Sequence, residues 1–62
     1  MYRIGIDVGG TFTDLVAVDA AGATILAKVP STPADPSLGV LDGLSLLAGR
    51  LQLERAALLA QT

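Results

Sequence analysis

One stretch of this chain carries evident chemistry: Asp7-Val8-Gly9-Gly10-Thr11-Phe12-Thr13-Asp14. Asp7 supplies a carboxylate at the end of an alternating segment. Gly9 and Gly10 leave the backbone unobstructed, so that its N–H groups can converge on an anion as phosphate-binding nests do. Thr11 and Thr13 add two hydroxyl donors. A carboxylate beside such a turn can hold a magnesium ion, directly or through its waters, and bridge it to phosphate oxygens. The segment therefore reads as half of a nucleotide-phosphate site, with Asp7 on the metal and Gly9, Gly10, Thr11 and Thr13 around the phosphates. Gly9-Gly10 alone would be an ordinary hairpin turn; the flanking Asp7, Thr11 and Thr13 tip the reading toward phosphate.

Two commoner phosphate loops are excluded. Gly5 and Gly10 have the spacing of a Walker A loop, but Thr11 stands where that loop needs lysine. The dinucleotide fingerprint Gly-x-Gly-x-x-Gly is absent, and the residues after Gly10 have the pattern of a strand, not of a helix. The chain has no cysteine and no histidine, which removes a disulfide scaffold, a zinc finger, a thiol nucleophile and imidazole acid–base chemistry. A net charge of −2 without a basic cluster argues against binding the nucleic-acid backbone. Charged residues from Asp7 to Glu54 interrupt every apolar run, so neither a membrane-spanning helix nor a signal peptide is expected. These exclusions leave a soluble, cytoplasmic protein as the expectation.

The elements that must position the turn are short. Tyr2, Ile4, Ile6 and Val8 alternate with Arg3, Gly5 and Asp7, the period of a strand over 2–8 with Asp7 opposite its apolar face. A second strand is expected over 12–19. Asp19-Ala20-Ala21-Gly22 then makes a hairpin with Gly22 at a positive-φ position, and a third strand is expected over 23–29. Pro30, Pro33 and Pro36 mark a connector. Asp35-Pro36 opens a helix over 36–49, a carboxylate at the N-cap and proline at the first position, where no N–H is needed. Leu41, Leu44, Ala48 and Leu51, widened by Leu38, Val40 and Leu47, form its expected apolar stripe. Gly39 and Gly43 predict close packing of its backbone on the sheet, and Gly49 predicts its end or a weak point. A further helical segment is expected over 54–61. The fold class is thus α/β, a three-stranded antiparallel meander followed by a helix.

At these residues a resemblance emerges. Arg3-Ile-Gly-Ile-Asp-Val-Gly-Gly-Thr-Phe-Thr-Asp14 resembles the first phosphate motif, Asp-x-Gly-x-Thr, of the actin/hexokinase-type ATPase superfamily. More narrowly, the eight residues from Asp7 to Asp14 resemble the amino terminus of the hydantoinase A/5-oxoprolinase family. That family shares a polar connector like Lys28-Val-Pro-Ser-Thr-Pro33 and a helix opening like Asp35-Pro-Ser-Leu-Gly-Val-Leu-Asp-Gly-Leu44. The resemblance implies an incomplete ribonuclease H-like domain. It also implies an ATP- and magnesium-dependent enzyme opening a cyclic amide such as a hydantoin or 5-oxoproline, with relatives that carboxylate ketones. Asp7 would place magnesium and its water shell; Gly9, Gly10, Thr11 and Thr13 would cradle the β- and γ-phosphates. Asp14 matches the motif, with ligand contact and structural hydrogen bonding both open. A sugar kinase is disfavoured, because its first turn often follows Gly-Gly-Thr with a basic residue and Phe12 stands there. The implied partners are the remainder of a parent enzyme and a second hydantoinase-type subunit or domain.

Size sharpens the expectation. With 62 residues, 52% of them hydrophobic and 16% charged, and a mean hydropathy of +0.63, the chain is apolar for its length. A chain this small buries only about 60% of its unfolded surface and ordinarily needs staples that are missing here. Residues 1–62 are therefore expected to be a single partial domain, inert as an isolated polypeptide and prone to self-associate along the open edge of its first strand. A purely structural, non-catalytic unit is the alternative of a different class.

Overall fold

The computed structural model describes all residues of the chain, 1–62. Three strands form one antiparallel sheet in the order β1-β2-β3: β1 Arg3–Val8, β2 Phe12–Val18 and β3 Thr24–Pro30. Helix α1, Pro36–Arg50, then crosses one face of the sheet, and a short helix α2, Arg55–Ala60, closes against it. This is the α/β order expected, a three-stranded antiparallel meander followed by a helix.

The alternation read from the sequence becomes two faces through the register. Ile4, Ile6 and Val8 stand opposite Ala17, Leu15 and Thr13, while Asp7 stands opposite Asp14. The helix-facing side carries Leu15, Ala17, Ala27 and Val29, all buried, and α1 adds Leu44, Leu47 and Ala48. Leu58 of α2 completes this core. Burying each such leucine contributes about 1.5–3 kcal/mol.

Element ends obey local chemistry and fall one residue from several expected positions. Asp19 leaves β2 because its carboxylate accepts from the N–H groups of Ala21 and Ala23, at 2.9 Å each, and so shapes the turn. Gly22 there has φ +88°, as its position requires. Pro30 belongs to β3 and not to the connector. Its neighbours Val29 and Ser31 pair toward β2, so the missing N–H falls on the outer edge of the sheet, where no ladder bond is lost.

Helix α1 starts as expected. The Asp35 side chain accepts from the Ser37 N–H at 3.2 Å and from the Ser37 hydroxyl at 2.6 Å, with Pro36 in the first turn. Its buried stripe needs correction. Gly39, Gly43, Leu44, Leu47 and Ala48 face the sheet, Leu51 is half-buried, and Leu38 and Leu41 are 52% and 39% exposed. The two glycines turn the helix: only where a side chain is absent can the backbone settle onto Leu15 and Thr32. Leu38 and Leu41 are thereby rotated off the contact line, and Ile6 and Val8 of β1 are likewise left exposed.

The helix does not end at Gly49. It ends in a Schellman motif, with Leu53 N–H donating to Ala48 O at 2.8 Å and Gln52 N–H to Gly49 O at 3.0 Å. Gln52 occupies the left-handed position at φ +59°, which costs a non-glycine residue about 1 kcal/mol or more. Gln52→Gly is expected to raise stability by about 1 kcal/mol, read as a higher denaturation midpoint at unchanged m-value; a lower midpoint would contradict this account of the cap.

Candidate functional site

The hairpin between β1 and β2 holds most of the residues that the sequence marks for chemistry. Gly9 N–H donates to Phe12 O at 2.9 Å and closes the turn. A Cβ on Gly9 would sit 2.9 Å from that same carbonyl oxygen, so the approach of the two backbones excludes any larger residue. Gly10 lies in the open, with nothing within 4 Å of where its Cβ would be. The N–H groups of Gly10 and Thr11 have no acceptor within the chain. Two adjacent, exposed, uncommitted donors are what an anion needs from a turn.

Asp7 ends up on the face of the sheet away from α1, directly across from Asp14. Like charges opposite one another on a sheet repel. Asp14 is compensated from its other side: Lys28 Nζ lies 3.5 Å from its carboxylate and 5.2 Å above the Phe12 ring. Both partners of that pair are largely exposed, so it contributes little to stability. It does engage Asp14, and it leaves Asp7 as the carboxylate of this row without a cation. Asp7, Asp14, Lys28 and Arg50 line an open depression of about 720 Å³, with Gly5, Val16 and Leu26 also in its wall, and Arg50 makes no ion pair with Asp7. No set of three or more acidic, thiol or imidazole groups comes together anywhere in the chain. A cation at Asp7 would therefore complete its shell from water and from its ligand's own oxygens, as magnesium commonly does.

The two threonines part company. Thr11 is exposed at the turn, whereas Thr13 is 1% exposed and lies on the opposite, helix-facing side. Its hydroxyl is bonded to the Ser31 hydroxyl at 2.9 Å, and Ser31 in turn donates to Gly9 O at 2.6 Å. Thr13 thus reaches the turn from beneath, through Ser31. The structure gathers Asp7, Gly9, Gly10 and Thr11 at one end of the sheet and sets Thr13 in the support below them.

Reading the sequence placed Ser31 in a polar connector, with contact to substrate or a neighbouring domain as the weaker reading, and did not place it under the turn. Its contact with Gly9, 22 positions away, arises because β3 runs back beside β2, which no local spacing reveals. Thr32 is committed on the other side: its hydroxyl donates to Asp35 O at 2.6 Å and accepts from Gly39 N–H at 2.8 Å. The connector is pinned to the turn by one hydroxyl and to α1 by the next.

Comparison with known proteins identifies the family of the chain. The sequence profile of the hydantoinase/oxoprolinase N-terminal region matches residues 3–60. The chain is 46% identical over 59 residues to caprolactamase subunit alpha of Pseudomonas jessenii, covering 95% of this chain and 8% of that protein. It is 44% identical over 46 residues to the acetone carboxylase beta subunit of Xanthobacter autotrophicus, 68% of this chain and 6% of that protein. It is also 54% identical over 39 residues to the acetophenone carboxylase gamma subunit of Aromatoleum aromaticum, 63% of this chain and 5% of that protein. The chain spans less than a tenth of the length of each. No solved structure matches at the stringency these relatives meet. With nearly its whole length matched, the chain belongs to the hydantoinase/oxoprolinase family, as its N-terminal region.

Proposed function

We propose that this chain is the first nucleotide-phosphate-binding segment of an ATP-dependent enzyme that hydrolyses a cyclic amide. The observation that carries this reading is the pair of uncommitted N–H groups at Gly10 and Thr11, beside the unpaired carboxylate of Asp7. The residues present fit magnesium and ATP: exposed turn donors for the phosphates, and an oxygen ligand on the adjoining strand for the hard cation. When bound, the metal supplies charge neutralisation to the transferring phosphoryl group. Within this chain, Gly10 and Thr11 orient the phosphate through main-chain N–H and the Thr11 hydroxyl. Gly9 lets the turn close, Thr13 supports it, and Asp7 holds the cation and its waters.

Cyclic amide hydrolysis is favoured over ketone carboxylation because the caprolactamase relative matches nearly the whole chain, and the carboxylase relatives about two thirds of it. These relatives are named as subunits, which supports a partner subunit here too. The rest of such an enzyme would cover Ile6, Val8, Leu38 and Leu41, all exposed in this chain. No helix is long and apolar enough to cross a membrane.

The test is turnover by the full-length protein with its partner subunit, given magnesium and ATP. Ring opening of a lactam, a hydantoin or 5-oxoproline with release of phosphate is expected. Carboxylation of a ketone with bicarbonate instead would select the other branch of the family. The 62-residue chain alone is expected to show no ATP hydrolysis above background. Magnesium-dependent turnover by it would sink the view that further nucleotide-binding elements are required.

A further inference from the structure

The Gly9–Gly10 peptide has a carbonyl that is taken and an N–H that is free. Ser31 Oγ donates to Gly9 O at 2.6 Å, while Gly10 N–H finds no acceptor in the chain. Both groups belong to one planar unit, and the chain contains no cis peptide. In a trans peptide the C=O and N–H point in opposite directions. Whatever fixes the carbonyl therefore aims the N–H. Ser31 lies on the helix-facing side, bonded to the buried Thr13. The Gly9 carbonyl is accordingly drawn toward that side, and the Gly10 N–H is turned to the other, the side of Asp7. The main chain of Ser31 holds the turn a second time, its N–H donating to Thr11 O at 2.9 Å.

We infer that Ser31 is a positioning residue, whose hydroxyl aims the Gly10 N–H toward the Asp7 side of the hairpin. Its use for phosphate rests on the proposed nucleotide-binding role of the turn. Glycine at position 10 has no side chain to bias its own peptide plane, so without an external hold the plane is free to rotate. The Thr13 hydroxyl, sealed from solvent, fixes the Ser31 rotamer and keeps its donor directed at Gly9. Thr32 extends the hold by tying the next connector residue to α1 at Gly39 and Asp35. The turn is closed by its own Gly9–Phe12 bond and oriented from outside by the connector after the third strand.

The assignment separates cleanly from phosphate binding. In the ligand-free 62-residue chain, Ser31→Ala is expected to change the residual dipolar coupling of the Gly10 N–H. Its order parameter should fall from about 0.85 to below 0.6, the range of a flexible segment. Ser31→Thr keeps the hydroxyl and should restore both. Thr13→Val removes the hydroxyl that fixes the Ser31 rotamer and should shift the Gly10 N–H in the same direction as Ser31→Ala, by a smaller amount, because the Ser31–Gly9 bond can still form. A Gly10 vector identical in wild type and Ser31→Ala overturns the assignment, whatever phosphate does. Should Ser31→Ala not fold, the wild-type chain decides: a rapidly exchanging, freely rotating Ser31 hydroxyl overturns it, and a protected one supports it. Titration with inorganic phosphate is the second arm. The Gly10 and Thr11 amides of the wild type should shift, with affinity about tenfold weaker in Ser31→Ala and recovered in Ser31→Thr. No response in the wild type, together with a reoriented Gly10 in Ser31→Ala, supports the positioning role and removes the phosphate reading.

Discussion

For the proposed ATP-dependent activity of the full-length protein, Asp7→Asn is expected to lower kcat by about 10²- to 10³-fold while KM for ATP moves less than about threefold. The substitution is isosteric and exposed, and it removes a negative charge that faces Asp14 across the strands. Relief of that repulsion should leave the fold as stable or slightly more so, by about a few tenths of a kcal/mol at most. Lost activity could not then be ascribed to unfolding. The asymmetry between kcat and KM comes from where the charge acts. A carboxylate that places a metal and its waters stabilises charge redistribution in the transition state. In the proposed site the backbone donors of Gly10 and Thr11 would hold the ground-state phosphates without it. Steady-state kinetics with a thermal melt of the same preparation checks both halves. Equal losses in kcat and nucleotide affinity would assign Asp7 to simple binding.

The second large effect concerns the fold. Gly43→Ala should destabilise the chain by about 1–2 kcal/mol, although alanine is the better helix former by about 1 kcal/mol. The added methyl would be driven into the side chain of Leu15, which is 2% exposed and has nowhere to retreat. Against a total stability of about 3–9 kcal/mol for a chain this size, that is a large fraction. The cause is tested with a double-mutant cycle. Leu15→Ala alone should cost about 2–5 kcal/mol. Combined with Gly43→Ala it should cost less than the sum, by about 0.5–3 kcal/mol, because the new methyl occupies part of the vacated space. Strict additivity would show that Gly43 matters for some other reason. Gly49→Ala is the control: its Cβ would meet nothing within 4 Å, so only the helix-propensity gain should appear.

Local signals carried much of this molecule. Alternation placed β1, and Asp35-Pro36 placed the start of α1. Gly22 marked the one left-handed glycine, and Asp7 fell opposite the apolar side of its strand as the period of two demands. The features that failed to show did so for a common reason. The stripe through Leu38 and Leu41 looked apolar by composition, but the contact line is chosen by where the helix backbone can come closest, at Gly39 and Gly43. Apolar periodicity counts side chains and misses surfaces defined by their absence. The end of α1 was missed because a left-handed Gln52 has no compositional flag. Thr13 and Ser31 were separated in the reading because their pairing depends on β3 returning beside β2, a contact between residues 18 apart. Asp14 was open between ligand and structure; Lys28, its neighbour across β3, supplies a structural partner.

The two glycines of the turn differ in kind. At Gly9 the neighbouring carbonyl leaves no room, and at Gly10 a Cβ would meet nothing within 4 Å. The first is a demand of the fold and the second of whatever approaches the exposed N–H. A lineage that acquired a side chain at position 10 could keep its hairpin, its sheet and its helix while closing the turn to anions. On the proposed role, a side chain at position 10 would obstruct anion binding while meeting no atom of the folded chain at its Cβ.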